Sequence, residues 1–278
     1  CGIAFPEILA ADQSADAMSL LERVLPGEDG RTVLRRERTR APALKAAALA
    51  IADLHARTSA RCEIEEAWLM KWIDQPVALL SDVGGAFMSA ADRQEAITVF
   101  QNQQRLFWSG RRTRLGLGHG DFSPGNILFD EGSRNAQFPQ GPGTALCEPN
   151  VKVSAIIDWD KASPDAPLGI DICNFALTCR TLSSGEDLGR AVCHLLLEPC
   201  WTLGETAWIS VSGDSHNGHA AWYQDHYAVR ALAGLAWLHH VAGNLEKSDA
   251  YANSWLWVAS NVERVLKVYL VNARRGAV

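Results

Sequence analysis

The chain has 278 residues, 47% hydrophobic and 21% charged, with a formal net charge of −6. Such a composition belongs to an ordinary globular protein, long enough for one large domain or two smaller ones with a real core. It excludes the basic face of a nucleic-acid binder, and no run of about 18 apolar residues marks a membrane span.

In chain order, "FPEILAAD" (5–12) and "AMSLLERVLPGEDG" (17–30) read as two short apolar strands, the second closed by Pro-Gly and Asp-Gly. Residues 31–40 are charged and read as loop or helix start. "APALKAAALAIADLHA" (41–56) is a helix with Leu44, Ala48, Ile51 and His55 on one face. Residues 57–90 are mixed, with a turn at Gly84 and Gly85. "AADRQEAITVFQNQQRLFWS" (90–109) is a second helix with Ile97, Phe100 and Leu106 at apolar positions. The basic run "SGRRTR" (109–114) reads as a solvated loop. "NILF" (126–129) and "VKVSAIID" (151–158) are strands, and the Gly/Pro-rich stretch between them, 131–150, is an extended surface loop, with the alternative that it reaches a partner or substrate. Beyond Asp171 the pattern is helical, clearest over 219–244 and 250–270.

Seven cysteines form no CxxC pair, which reads as reduced thiols in a cytoplasmic protein rather than a disulfide framework or zinc site. The chain starts at Cys1, without a Met and without a signal-peptide pattern. Of ten tryptophans, Trp201, Trp208, Trp222, Trp237, Trp255 and Trp257 read as helix packing, with a stacking wall for a sugar as the second reading. His239-His240, with His226 upstream, lack metal-site spacing.

Chemistry concentrates in "HGDFSPGNILFD" (119–130). The pattern His119-x-Asp121-x4-Asn126 is followed by Ile156-Ile157-Asp158. A hairpin of the two strands would set Asn126 beside Asp158, two hard oxygen ligands of the kind Mg²⁺ takes together with substrate phosphates. Asp121, in the loop before the strand, is placed to accept a proton from a substrate hydroxyl or to orient it. The Asp-x4-Asn spacing is that of kinase catalytic loops, and Asp158 matches their metal-binding Asp.

Together with "AIIDWDKASPDAPLGIDICNFAL" (155–177), this stretch resembles the aminoglycoside phosphotransferase and choline kinase superfamily, whose usual form is HGDxxxxN and then IDW(E/D). The resemblance implies an α+β, protein-kinase-like fold with a mostly helical C-lobe and a partial β-rich N-lobe. It implies Asp121 as catalytic residue, Asn126 and Asp158 as Mg²⁺ ligands, His119 and Asp171 as structural residues, and no assigned role for the acidic Asp160. ATP would be the phosphoryl donor and a small-molecule hydroxyl the acceptor: an aminoglycoside, a sugar or polyol, or a choline-like or amino-acid-like alcohol. The acidic balance favours a cationic acceptor.

Residues 1–30 resemble the last N-lobe strands and the hinge, with 31–278 as C-lobe. Adenine would then dock near Glu22, Arg23 and Val24, over an apolar floor of Leu128 and Ile157, with the alternative that 17–25 is only an edge strand. His55 reads as a packed, hydrogen-bonded histidine. No early Lys–Glu pair or Gly-rich phosphate cover is present, since the first lysine is Lys45 and "GLGHG" (116–120) leads into the catalytic loop. The expectation is that upstream sequence is missing and that this chain alone binds ATP poorly and turns over little. A non-catalytic kinase-like binding module is the competing reading. A protein kinase is disfavoured by Gly120 and Ser123, where such enzymes of the Ser/Thr type usually carry Arg and Lys.

Overall fold

The computed structural model describes residues 4–13, 18–132, 149–213 and 222–276. Two strands, β1 (Ile8–Gln13) and β2 (Met18–Glu22), form an antiparallel pair of their own, with Ile8 opposite Glu22 and Gln13 opposite Met18. The expected strands are therefore present, with β2 ending before the Pro-Gly turn. Upstream, Ala4 bridges Ala155. Downstream, β3 (Glu28–Asp29) leads into α1 (Gly30–Arg35), whose first turn is capped by Asp29 accepting the Arg31 N–H at 2.7 Å. α2 (Glu37–Thr58) follows after the extended Arg36, so of the two readings of residues 31–40 the helical one holds on either side of that break. Ala43, Ala47, Ala48 and Ile51 bury one face of α2, and His55 is buried at its end, as the periodicity predicts, with Leu44 half-buried.

The mixed region resolves into β4 (Ala60–Glu63), α3 (Glu66–Leu69), a π-helical turn over Met70–Asp74, and α4 (Gln75–Ser81). α5 (Ala90–Trp108) is the second predicted helix. Ile97 and Phe100 are buried in it, but Leu106 is 81% exposed, because it falls on the opposite face from the Phe100–Trp108 seam. The basic run is not a loop throughout: Arg112–Gly118 form β5. Then come a 3₁₀ turn over Pro124–Asn126, β6 (Ile127–Asp130), β7 (Lys152–Ile156) and β8 (Ser163–Pro167).

The helical remainder is α6 (Ile170–Ser184), α7 (Leu188–Leu197), α8 (Leu203–Gly213), α9 (His226–Lys247), α10 (Asp249–Asn253), α11 (Trp255–Val258) and α12 (Arg264–Arg274). The predicted helix 219–244 begins at His226, with its first residues outside the described set, and 250–270 is broken by caps at Ser248 and Ser254 and a π turn over Ala259–Glu263. Most of the loop predicted for 131–150 also lies outside the described residues.

Two three-stranded antiparallel sheets position the site: β3-β6-β7 and β4-β5-β8. The chain passes from the second sheet to the first through residues 119–126, and back again through 157–162. Two loops spanning the same pair of sheets in opposite senses must lie alongside each other. Beneath them, α9 runs through the core with Trp237 fully buried, edge-on to Phe100 at 5.2 Å and donating its indole N–H to the Asn261 carbonyl at 2.6 Å. Trp201 and Trp208 are buried and Trp222 and Trp257 half-buried, matching the packing expectation, whereas Trp255 is 63% exposed against Phe87.

Candidate active site

Strand pairing sets the site. Ile127 lies opposite Ile156, and just beyond this pair the Ile157 N–H donates to the Asn126 carbonyl at 3.0 Å. Asn126 and Asp158 are thus brought side by side at the open ends of β6 and β7. Asn126 Nδ2 donates to the Asp121 carbonyl at 2.9 Å, closing the 121–126 loop on itself and leaving its Oδ1 outward of that bond. Asp158 is exposed and has φ 63, the left-handed region, which costs a non-glycine residue on the order of 1 kcal/mol. Among the described residues neither the Asp121 nor the Asp158 carboxylate has a hydrogen-bond or ion-pair partner.

His119 is fully buried and braces both loops. The Asp121 N–H donates to its Nδ1 at 3.2 Å, so Nε2 carries the proton and donates to the Ile157 carbonyl at 2.9 Å. Trp159 packs on its ring at 4.5 Å and touches Phe5 on the other side at 5.2 Å. Asp171, at the start of α6, is 1% exposed and accepts the N–H groups of His119 at 2.8 Å and Gly120 at 3.1 Å, together with His55 Nε2 at 3.2 Å. Burial alone would raise its pKa. The His55 contact and the two backbone N–H groups outweigh that and hold the carboxyl below the ordinary range.

Gly120 shows how tightly the loops are joined. Its φ is +80, and a Cβ there would run into the Lys161 backbone and lie 2.9 Å from Lys161 Cβ. On the other side of the loop, the exposed Arg31 guanidinium lies over Gly125, its Cζ and Nε each 2.6 Å from where a Cβ would stand. Sequence reasoning missed both Arg31 and Lys161, because neither belongs to a spaced pattern and only the contacts bring them to the loop. His239 and His240 point differently, as expected of neighbours on a helix: His239 donates to the Trp72 carbonyl at 2.9 Å, and His240 lies within the fields of Asp121 and Lys161. Burial lowers the pKa of both, so they are neutral near pH 7. Among the described residues no three His, Cys, Asp or Glu side chains cluster as a metal cage, so a cation here would rest on Asn126, Asp158 and a ligand's own oxygens.

The residues expected at the nucleotide are placed less decisively. Glu22, Arg23 and Val24 are exposed, Val24 by 93%. Leu128 and Ile157 are half-buried, and the chain following Val24 crosses β6 so closely that a Cβ on Gly27 would stand 2.8 Å from Leu128 Cβ. Asp160 is exposed without a partner among the described residues.

The fold is a mixed helix-and-sheet architecture of the protein-kinase-like kind. Residues 1–136, a segment that runs through the catalytic loop, match the model of the phosphotransferase enzyme family (APH), in agreement with the resemblance read from the motif. No curated protein matches the sequence. Among solved structures, the GDP complex of a mutant aminoglycoside 2'-phosphotransferase-IIIa is similar at 16% identity and a TM-score of 0.50, covering 98% of this chain and 76% of that one. A glucosamine kinase in complex with glucosamine, ADP and inorganic phosphate aligns at 16% identity and a TM-score of 0.34, covering 93% of this chain, which spans 59% of that kinase's length. At 16% identity the likeness to the first of these is one of fold.

Proposed function

We propose that this protein is a small-molecule kinase that moves the γ-phosphoryl group of ATP to a hydroxyl, using Mg²⁺. The observation that carries this reading is the pairing of the two loops. It sets Asn126 next to Asp158, anchors Asn126 to the Asp121 backbone, and leaves the Asp121 and Asp158 carboxylates unclaimed by protein partners among the described residues. The half-buried Asp121 and the exposed Asp158 are thereby left available to a proton donor and a cation. Asn126 and Asp158 would hold the metal, which supplies charge neutralisation on the donor phosphates. Asp121 orients the acceptor hydroxyl and takes its proton. Glu22, Arg23 and Val24 would flank the adenine over Leu128 and Ile157, and the N-terminal strands with this stretch, residues 1–30, would form the nucleotide-side part of the lobe pair.

Two features favour a small acceptor over a protein. Gly120 and Ser123 replace the Arg and Lys of the protein-kinase loop, and the family matched over residues 1–136 is that of phosphotransferases of the APH type. The acceptor classes remain those carrying a free alcohol: aminoglycoside, sugar or amino-alcohol.

Titration of the chain with ATP in the presence and absence of Mg²⁺ tests the metal and nucleotide together. Binding should require Mg²⁺ in the wild type and be lost in Asp158→Asn. Asp121→Asn should keep Mg²⁺-ATP binding while phosphoryl transfer to hydroxyl compounds falls by about 10²–10⁴-fold. Nucleotide binding indifferent to Mg²⁺ and to Asp158 would overturn the reading.

A further inference from the structure

Lys161 stands three residues beyond Asp158, in the return loop between the two sheets. Its backbone is fixed by the close approach to Gly120. Its side chain then runs across α9 at Gly243, where a Cβ would meet Nζ at 2.8 Å and Cε at 3.2 Å. The missing side chain at Gly243 leaves open the space that the end of this stem occupies. His240, close to Gly243 on the same helix, lies within the fields of both Asp121 and Lys161, and Gly120, against which the Lys161 backbone packs, directly precedes Asp121. Lys161 is half-buried, and among the described residues no carboxylate comes within ion-pair distance of it. The nearby Lys71, by contrast, is paired with Asp165 at 2.6 Å. Burial keeps His240 neutral, so it does not compete for an anion.

A half-buried cation without a protein partner among the described residues becomes more favourable when an oxyanion completes it. We propose that Lys161 forms an oxyanion subsite beside Asp121, with its ammonium taking a phosphate oxygen at the point of phosphoryl transfer. This deepens the kinase reading and rests on it. During transfer the bond from the γ-phosphorus to the bridging oxygen of ADP breaks, the acceptor oxygen bonds to that phosphorus, and the acceptor's proton passes to Asp121. The Lys161 ammonium faces the charge on the peripheral oxygens. The charge absent at Ser123 is thereby supplied from the metal-ligand loop. An oxyanion of this chemistry has two sources: the γ-phosphoryl group of ATP, or an anionic group on the acceptor.

Calorimetric titration of the full chain and of its Lys161→Met and Lys161→Arg variants with Mg²⁺-ATP, Mg²⁺-ADP and inorganic phosphate separates them. If the γ-phosphoryl group is the ligand, Lys161→Met weakens Mg²⁺-ATP by about tenfold, leaves Mg²⁺-ADP unchanged, and Lys161→Arg restores most of the difference. If the acceptor supplies the anion, both nucleotides bind Lys161→Met normally while inorganic phosphate no longer binds the Mg²⁺-ADP complex. Unchanged binding of all three, or equal weakening of ATP and ADP, overturns the subsite. A wild-type chain that binds neither nucleotide overturns the kinase reading instead. Phosphate titration then still decides Lys161: weaker binding in Lys161→Met supports the subsite, and equal binding overturns it.

Discussion

Asp171 accepts three N–H groups where water does not reach, and two of them belong to the backbone that carries Asp121. The sequence marks this residue only as an acid before a helix, and the resemblance gives it a structural role. What it braces became visible only with the fold, since His55 is 116 residues away. Asp171→Asn keeps the volume but turns an NH₂ toward N–H donors. The expected cost is about 3–5 kcal/mol in urea unfolding, the range for removing one member of a buried charged cluster. The motif residues themselves were legible, because His119, Asp121, Asn126 and Asp158 sit at fixed spacing around two strands. Arg31 and Lys161 were not, because a cation laid over a glycine leaves no periodic trace.

At the scale of elements, the strands of the β3-β6-β7 sheet nearest the motif were readable as apolar runs, and those of the other sheet were not. β5 reads Arg-Thr-Arg-Leu-Gly-Leu-Gly, and glycines weaken a strand signal. They are there because Gly116 packs on Thr58 and Ser59, and Gly118 on Ala166. β4 and β8 carry Arg, Glu, Pro and Asp, and gain their pairing from β5 rather than from propensity. The π turn over Met70–Asp74 was equally invisible. Such a turn disturbs the helical ladder, and the Trp72 carbonyl receives the His239 proton instead. His239→Phe leaves that carbonyl unpartnered, at a cost of about 1–3 kcal/mol. The same histidine contributes to acid sensitivity. Its folded pKa lies below the ordinary 6.5, as does that of His240, so below pH 6.5 the unfolded chain takes up protons that the folded one does not. Thermal melts should therefore be flat in this contribution above pH 6.5 and fall as the pH drops from there, with a shallower fall in His239→Phe.

Across the whole molecule, the expectation of reduced thiols meets five free cysteines among the described residues. Burial pushes Cys173 up to about 12 and Cys193 to about 11, and raises Cys179 further, so none of the three is a nucleophile at neutral pH. A thiol reagent should label the exposed Cys200 readily in the native protein, and Cys173, Cys179 and Cys193 only on unfolding, as mass spectrometry of labelled peptides would show. Overall charge was a poorer guide. The net −6 hinted at cationic acceptors, yet the unpaired groups nearest Asp121 include Lys161, so local charge at the cleft need not follow the sum over the surface.

The absence of a side chain at Gly120 has one more consequence. Protein kinases carry an arginine at that point, and phosphorylated activation segments are commonly ordered by pairing with arginines. Here the Lys161 backbone fills the space such a side chain would need. An arginine-read phosphorylation latch therefore has no room beside Asp121.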